Sequence, residues 1–108
     1  MTVSDLIKNA GFEARSLPSP DREIDGVYIG DLLSWVMGRA QCDNAWITIM
    51  SNVNVVAVAT LADVSCVIMT EGVLPDEDII SVATQKGVNI ISTPLSTYET
   101  AIKLKDLI

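Results

Sequence analysis

Histidine is absent from this chain. That removes the side chain most often used as a general base and most often used as a metal ligand. Cysteine is scarce: there are two, Cys42 and Cys66, and no CxxC pair. Nothing here indicates a disulfide framework, and without histidine or a cysteine cluster no zinc site is expected. Cys66 lies in an apolar run and reads as a buried, inert thiol, whereas Cys42 lies in a polar segment and reads as exposed. Basic residues are also few. Seven Lys and Arg face fourteen Asp and Glu, a formal charge of −7. Such a balance repels phosphate backbones, which excludes nucleic acid as an expected partner. A small anionic metabolite or a nucleotide remains compatible, because backbone N–H groups can hold a phosphate without Lys or Arg.

Long apolar runs are missing as well. Residues 45–62 carry no charge, but Ser51, Asn52 and Asn54 interrupt them. No membrane span of about 18 residues is expected. The first five residues have neither a basic start nor an apolar core, so they do not read as a signal peptide, and a cytoplasmic location is expected. No GxxxxGK[ST], GxGxxG or GxSxG motif occurs. These absences remove the P-loop nucleotide site, the dinucleotide fingerprint and the hydrolase elbow. No cofactor is expected.

What is present is a core. The chain has 108 residues, of which 49% are hydrophobic, enough for one folded domain spanning 1–108. Three short apolar runs, 45–50, 65–70 and 88–91, each end in polar residues: Ser51-Asn52, Glu71-Gly72 and Ser92-Thr93. Each is followed by a segment that can be helical. Strands alternating with helices predict an α/β domain with a mainly parallel sheet and helical crossovers. The hardest segment is 53–59, which by composition could be a strand. A helix over 54–62 is preferred, because two parallel strands need a crossover of about this length.

Around this centre the pattern predicts a helix over 4–11, capped by Ser4 and ended by Gly11. Strands follow over 12–17 and 24–29. Asp31 is suited to cap a helix over 32–37, and Gly38 stops it or lets another backbone approach closely. Pro75 opens a helix that runs to Lys86, with Gly87 just past its end. Asp76, Glu77 and Asp78 read as a first-turn charge cluster on that helix rather than a metal site. The last helix starts near 94–96, where Ser96 and Glu99 form a capping box, and ends near Leu107. Trp35 and Trp46 read as core or interface.

In parallel sheets ligands sit beyond the carboxyl ends of the strands. The candidate ligand-binding residues are therefore Ser51, Asn52, Glu71, Gly72, Ser92 and Thr93, lining one rim where helix N-termini offer free N–H groups. No catalytic or metal-binding residue is assigned. The rival reading is a small enzyme that uses Glu71 or Asp31, two carboxylates near strand ends. Val36, Met37, Val73 and Leu74 are the candidates for a self-association surface.

The segments VYIGDLLSWVMGRA at 27–40, AWIT at 45–48, NVVAVA at 54–59 and EGV at 71–73 resemble the DRTGG domain family. The order of segments matches over most of the chain, although Asp21-Arg22 is not followed by Thr-Gly-Gly. The resemblance implies a compact module similar to the N-terminal domain of HPr kinase. In relatives such a module accompanies CBS domains, phosphotransacetylases or pyrophosphatases as an accessory region. It brings no catalytic residues to carry over. The expected function is a non-enzymatic regulatory or assembly module, homodimeric, that senses a small phosphorylated ligand or nucleotide or engages a partner protein.

Overall fold

The computed structural model describes residues 1–108. Five strands form one sheet: β1 (Glu13–Ser16), β2 (Gly26–Ile29), β3 (Asn44–Thr48), β4 (Cys66–Met69) and β5 (Ile90–Ser92). Their order across the sheet is β1-β5-β4-β3-β2. β2, β3, β4 and β5 are parallel, and β1 pairs antiparallel with β5 at one edge. The three apolar runs are therefore adjacent parallel strands, as their sequence predicts.

Five helices connect and cover the sheet: α1 (Val3–Ala10), α2 (Leu33–Arg39), α3 (Asn54–Ala62), α4 (Glu77–Lys86) and α5 (Thr97–Leu107). Segment 53–59 is helical apart from its first residue, because α3 is the crossover between β3 and β4. Alternation along the strands divides the interior into two cores. Trp46, Val67, Met69 and Ile90 pack with Val36, Val55, Ala59, Ile79 and Ala83 from α2, α3 and α4. Ala45, Ile47, Cys66, Ile68 and Ile91 pack with Val3, Leu6 and Leu104 from α1 and α5. Both faces of the central strands are covered, which explains why those strands read as continuous apolar runs.

Several caps differ from expectation. Thr2, not Ser4, caps α1, in a reciprocal box with Asp5. The Asp5 carboxyl is held below its ordinary value, chiefly by the backbone N–H of Thr2 and then by its hydroxyl. Leu32 occupies the cap position of α2 with no side-chain bond, so Asp31 is not its cap. Gly38 does not stop that helix, which continues to Arg39. Asp76 caps α4 through Ile79 N–H, leaving Pro75 outside the first turn. Gly87 and the Ser96–Glu99 box stand as expected. Gly87 takes φ +75°, where a side chain would be strained.

Val36 is fully buried against α3 and so cannot belong to an exposed surface. Met37 and Leu74 are exposed, and Val73 is partly buried. Trp46 is core, with its indole N–H donating to the Gly30 carbonyl at 2.9 Å. Trp35 is exposed, with the Arg39 guanidinium 3.8 Å above its ring. No helix is long and apolar enough to cross a membrane.

Candidate functional site

The carboxyl ends of β3, β4 and β5 share one edge of the molecule, but their polar residues do not form a single concavity. A recess of about 380 Å³ lies at the end of β5, lined by Gly11, Glu13, Arg15, Gly72, Leu74, Ser92, Thr93 and Pro94. Its size falls at the low end of ligand pockets, about 300–1,000 Å³. Three expected residues, Gly72, Ser92 and Thr93, meet there. Ser51 and Asn52 do not. They lie in the loop after β3, two strands away, where the Asn52 side-chain oxygen accepts from Asn54 N–H at the start of α3.

Glu71 also has other work. Its backbone adopts φ +60°, and its carboxylate accepts from Thr97 N–H at 2.8 Å. Glu99 accepts from Ser96 N–H, and the Ser96 hydroxyl accepts from Glu99 N–H. The first turn of α5 is thus satisfied by the chain's own side chains, not left free for an anion. Thr93 is nine-tenths or more buried, and its hydroxyl accepts from Leu95 N–H at 3.2 Å. Its backbone N–H donates to Met69, and its carbonyl accepts from Gly72 N–H. These bonds knit the ends of β4 and β5 into a rigid floor.

The residue missed by the sequence pattern is Arg15. The antiparallel pairing sets Glu13 opposite Ser92, which carries Arg15 to the recess. Its Nε donates to Ser92 Oγ at 2.7 Å, and its second guanidinium nitrogen donates to Glu13 at 2.9 Å. A planar guanidinium with remaining N–H groups beside two buried hydroxyl side chains can receive a phosphate or carboxylate. No local signal marks Arg15, because only the pairing of a separate strand brings it to β5.

Several side chains that carry nucleophilic or acid–base groups are engaged within the fold. Asp31 accepts from the Thr48 hydroxyl at 2.8 Å and from Ile49 N–H at 2.9 Å. Burial pushes the Cys66 thiol up to about 12, so it stays protonated. At the opposite end of the sheet, Arg22 bridges Asp43 at 2.9 Å and Asp63 at 2.8 Å. Burial opposes the charge on Arg22, but its bonds to Asp43 and Asp63 outweigh that and raise its pKa. The Cys42 thiol donates to Asp63, which raises the thiol's pKa and, together with Arg22, lowers that of Asp63. No three His, Cys, Asp or Glu side chains are grouped to hold a metal ion.

A second recess, about 360 Å³, lies between α3 and α4 and is mainly apolar, with Val53, Ala57, Leu61 and Val82 among its lining. The model of the DRTGG domain matches residues 21–107. The chain belongs to the DRTGG domain family. A solved structure shares the fold: the CBS and DRTGG domains of the regulatory region of Clostridium perfringens pyrophosphatase, complexed with the activator diadenosine tetraphosphate. The TM-score is 0.73 at 17% identity, over 94% of this chain and 44% of that one. This chain therefore spans less than half of that solved chain. No curated protein sequence matches it. The Arg15–Ser92 recess is formed in part by β1, which precedes the matched residues 21–107, whereas the α3–α4 recess lies wholly within them.

Proposed function

We propose that this DRTGG domain is a non-enzymatic regulatory or assembly module, homodimeric, whose recess at the end of β5 senses a small phosphorylated ligand or nucleotide. The observation that carries the reading is the position of Arg15. It places one guanidinium beside Ser92 and Thr93 at the strand-end rim of an otherwise acidic chain. In this reading Gly72 supplies a margin without a side chain, and Glu71 acts by fixing the start of α5. Ser51 and Asn52 serve the start of α3. The neighbouring pyrophosphatase structure supports the assignment, since there the same fold lies in a regulatory region solved with a nucleotide activator. A partner protein or neighbouring domain then reads the bound state. The rival reading, a small enzyme, would use Glu71 or Asp31, each of which here accepts from a backbone N–H group.

The test is a thermal-shift screen with nucleotides and phosphorylated metabolites. A ligand at about 100 times its Kd stabilises the folded chain by about 2.7 kcal/mol. Arg15→Gln is expected to abolish the shift. Thr93→Val is expected to weaken binding by about 1 kcal/mol, with melting measured first without ligand because Thr93 also holds Leu95. If no compound shifts the wild-type chain, the sensing role is wrong and the assembly role alone stands.

A further inference from the structure

Two buried hydroxyls line the recess at the end of β5, and the fold uses each of them in one sense only. Ser92 and Thr93 are 3% and 4% exposed. The Ser92 hydroxyl accepts from Arg15 Nε at 2.7 Å, and the Thr93 hydroxyl accepts from Leu95 N–H at 3.2 Å. Neither donates its own proton to another group of the chain. A hydroxyl carries one donor besides its lone pairs, and a buried donor without a partner is costly. Arg15 adds to these donors. Its Nε is bonded to Ser92 and one Nη to Glu13, which leaves the other Nη bonded to nothing in the chain. The recess is thus walled by unused donors, and the one charged acceptor among its lining residues is the Glu13 carboxylate.

The two partners of Arg15 are held unequally. Ser92 is buried on β5, beside β1, so its bond to Nε fixes where the guanidinium lies. The Glu13 side chain is 70% exposed, against 32% for Arg15. An exposed pair of this kind contributes little and opens at little cost. Glu13 and Arg15 stand two apart on β1, so their side chains leave the same face of the strand. Glu13 reaches Arg15 without reshaping the backbone and can leave it in the same way. A carboxylate and a phosphate group offer a guanidinium the same thing, charged oxygens that accept its N–H groups.

We propose that Glu13 is the resident counter-anion of this recess: its carboxylate occupies on Arg15 the place that a ligand's phosphate group takes, and binding is an exchange in which Glu13 turns out into solvent. This rests on the sensing role proposed above and names the residue that sets its threshold. Charge favours exchange over joint occupancy, because a phosphate beside a resident carboxylate meets repulsion within the recess. Once Glu13 leaves, the incoming anion receives both Nη groups of Arg15 and the free protons of Ser92 and Thr93. A singly charged anion only replaces Glu13 like for like. A phosphate group of higher charge gains attraction as well, so the exchange selects the phosphorylated class.

The probe is inorganic pyrophosphate, titrated by calorimetry into the wild-type chain and into variants whose circular dichroism is unchanged. Glu13→Gln keeps the size of the side chain and removes its charge. It is expected to tighten binding about two- to fivefold, the effect of one exposed ion pair, while Arg15→Gln abolishes binding. In the wild type, the carboxyl-carbon NMR resonance of Glu13 is expected to move in step with saturation, whereas that of Glu23, before β2, stays in place. Binding that needs Arg15 but is equal or weaker in Glu13→Gln overturns the exchange and leaves the sensing role standing. A Glu13 resonance that stays fixed at saturation does the same. Binding by Glu13→Gln alone supports the exchange and marks the wild-type recess as closed to this anion. No binding to either chain overturns the exchange, and the nucleotide screen then decides the sensing role by itself.

Discussion

β1 and β2 lie at opposite edges of one sheet, and the chain treats them in opposite ways. β1 is antiparallel, irregular and charged, and its outward residues turn toward the strand-end recess. β2 is parallel, regular and apolar, and the helices leave part of its face bare. The contrast separates two tasks. At the β1 edge, Glu13 and Arg15 both discourage strand addition and bring charge to a rim that would otherwise have only hydroxyls and backbone. At the β2 edge, Val27 and Ile29 leave apolar surface exposed and no charge interrupts the strand.

The comparison can be broken most severely at Trp46. This side chain fills the centre of one core and ties β3 to Gly30 at the end of β2. Trp46→Ala is expected to cost about 3–5 kcal/mol in urea unfolding and to loosen the β2 edge first in hydrogen exchange. The corresponding anchor of β1 is Ser16, whose buried hydroxyl donates to the Val88 carbonyl at 3.1 Å and lies 2.9 Å from the Thr84 hydroxyl. Ser16→Ala is expected to cost about 1–3 kcal/mol, with protection lost on β1 and kept on β2.

Smaller effects sharpen the contrast. Replacing both Glu13 and Arg15 by Thr leaves two β-formers at an unprotected edge. Stability is expected to change by about 0.5 kcal/mol or less, while sedimentation is expected to show concentration-dependent association beyond that of the wild type. The smallest effect is at the Arg22–Asp43–Asp63 cluster, which holds the approach to β2. The folded chain keeps the Asp63 carboxyl below its ordinary 3.8, through the Cys42 thiol first and Arg22 second. A lowered acid contributes stability that is complete above its unfolded value and lost as pH falls through the folded one. An acid-unfolding series should therefore show a shallower decline below pH 3.8 for Asp63→Asn than for the wild type.

Much of the architecture is legible in the order of residues. The three apolar runs are uninterrupted because both faces of their strands are buried, and that signal is independent of the rest of the chain. The helix over 54–62 was readable despite its β-branched residues, since the crossover between two parallel strands outweighs local propensity. Caps were less secure. Ser4, Asp31 and Pro75 all had suitable chemistry, but neighbouring Thr2 and Asp76 had better geometry, and Asp31 was drawn to Thr48 instead. The rim was half legible, with Gly72, Ser92 and Thr93 brought together and Ser51 and Asn52 set apart.

By itself the sequence determined the alternation of strand and helix, the parallel centre of the sheet, the capping box of α5 and the want of a histidine or P-loop chemistry. These depend on residue type and short-range spacing, which a chain carries wherever it lies. Long-range packing alone brings Arg15 to Ser92, closes the start of α5 with Glu71, and leaves Val27 and Ile29 beyond the reach of α1 and α5. Each of these depends on which strand stands beside which and how far a helical layer extends, and strand order is set by the packing of the whole domain, not by any local run of residues.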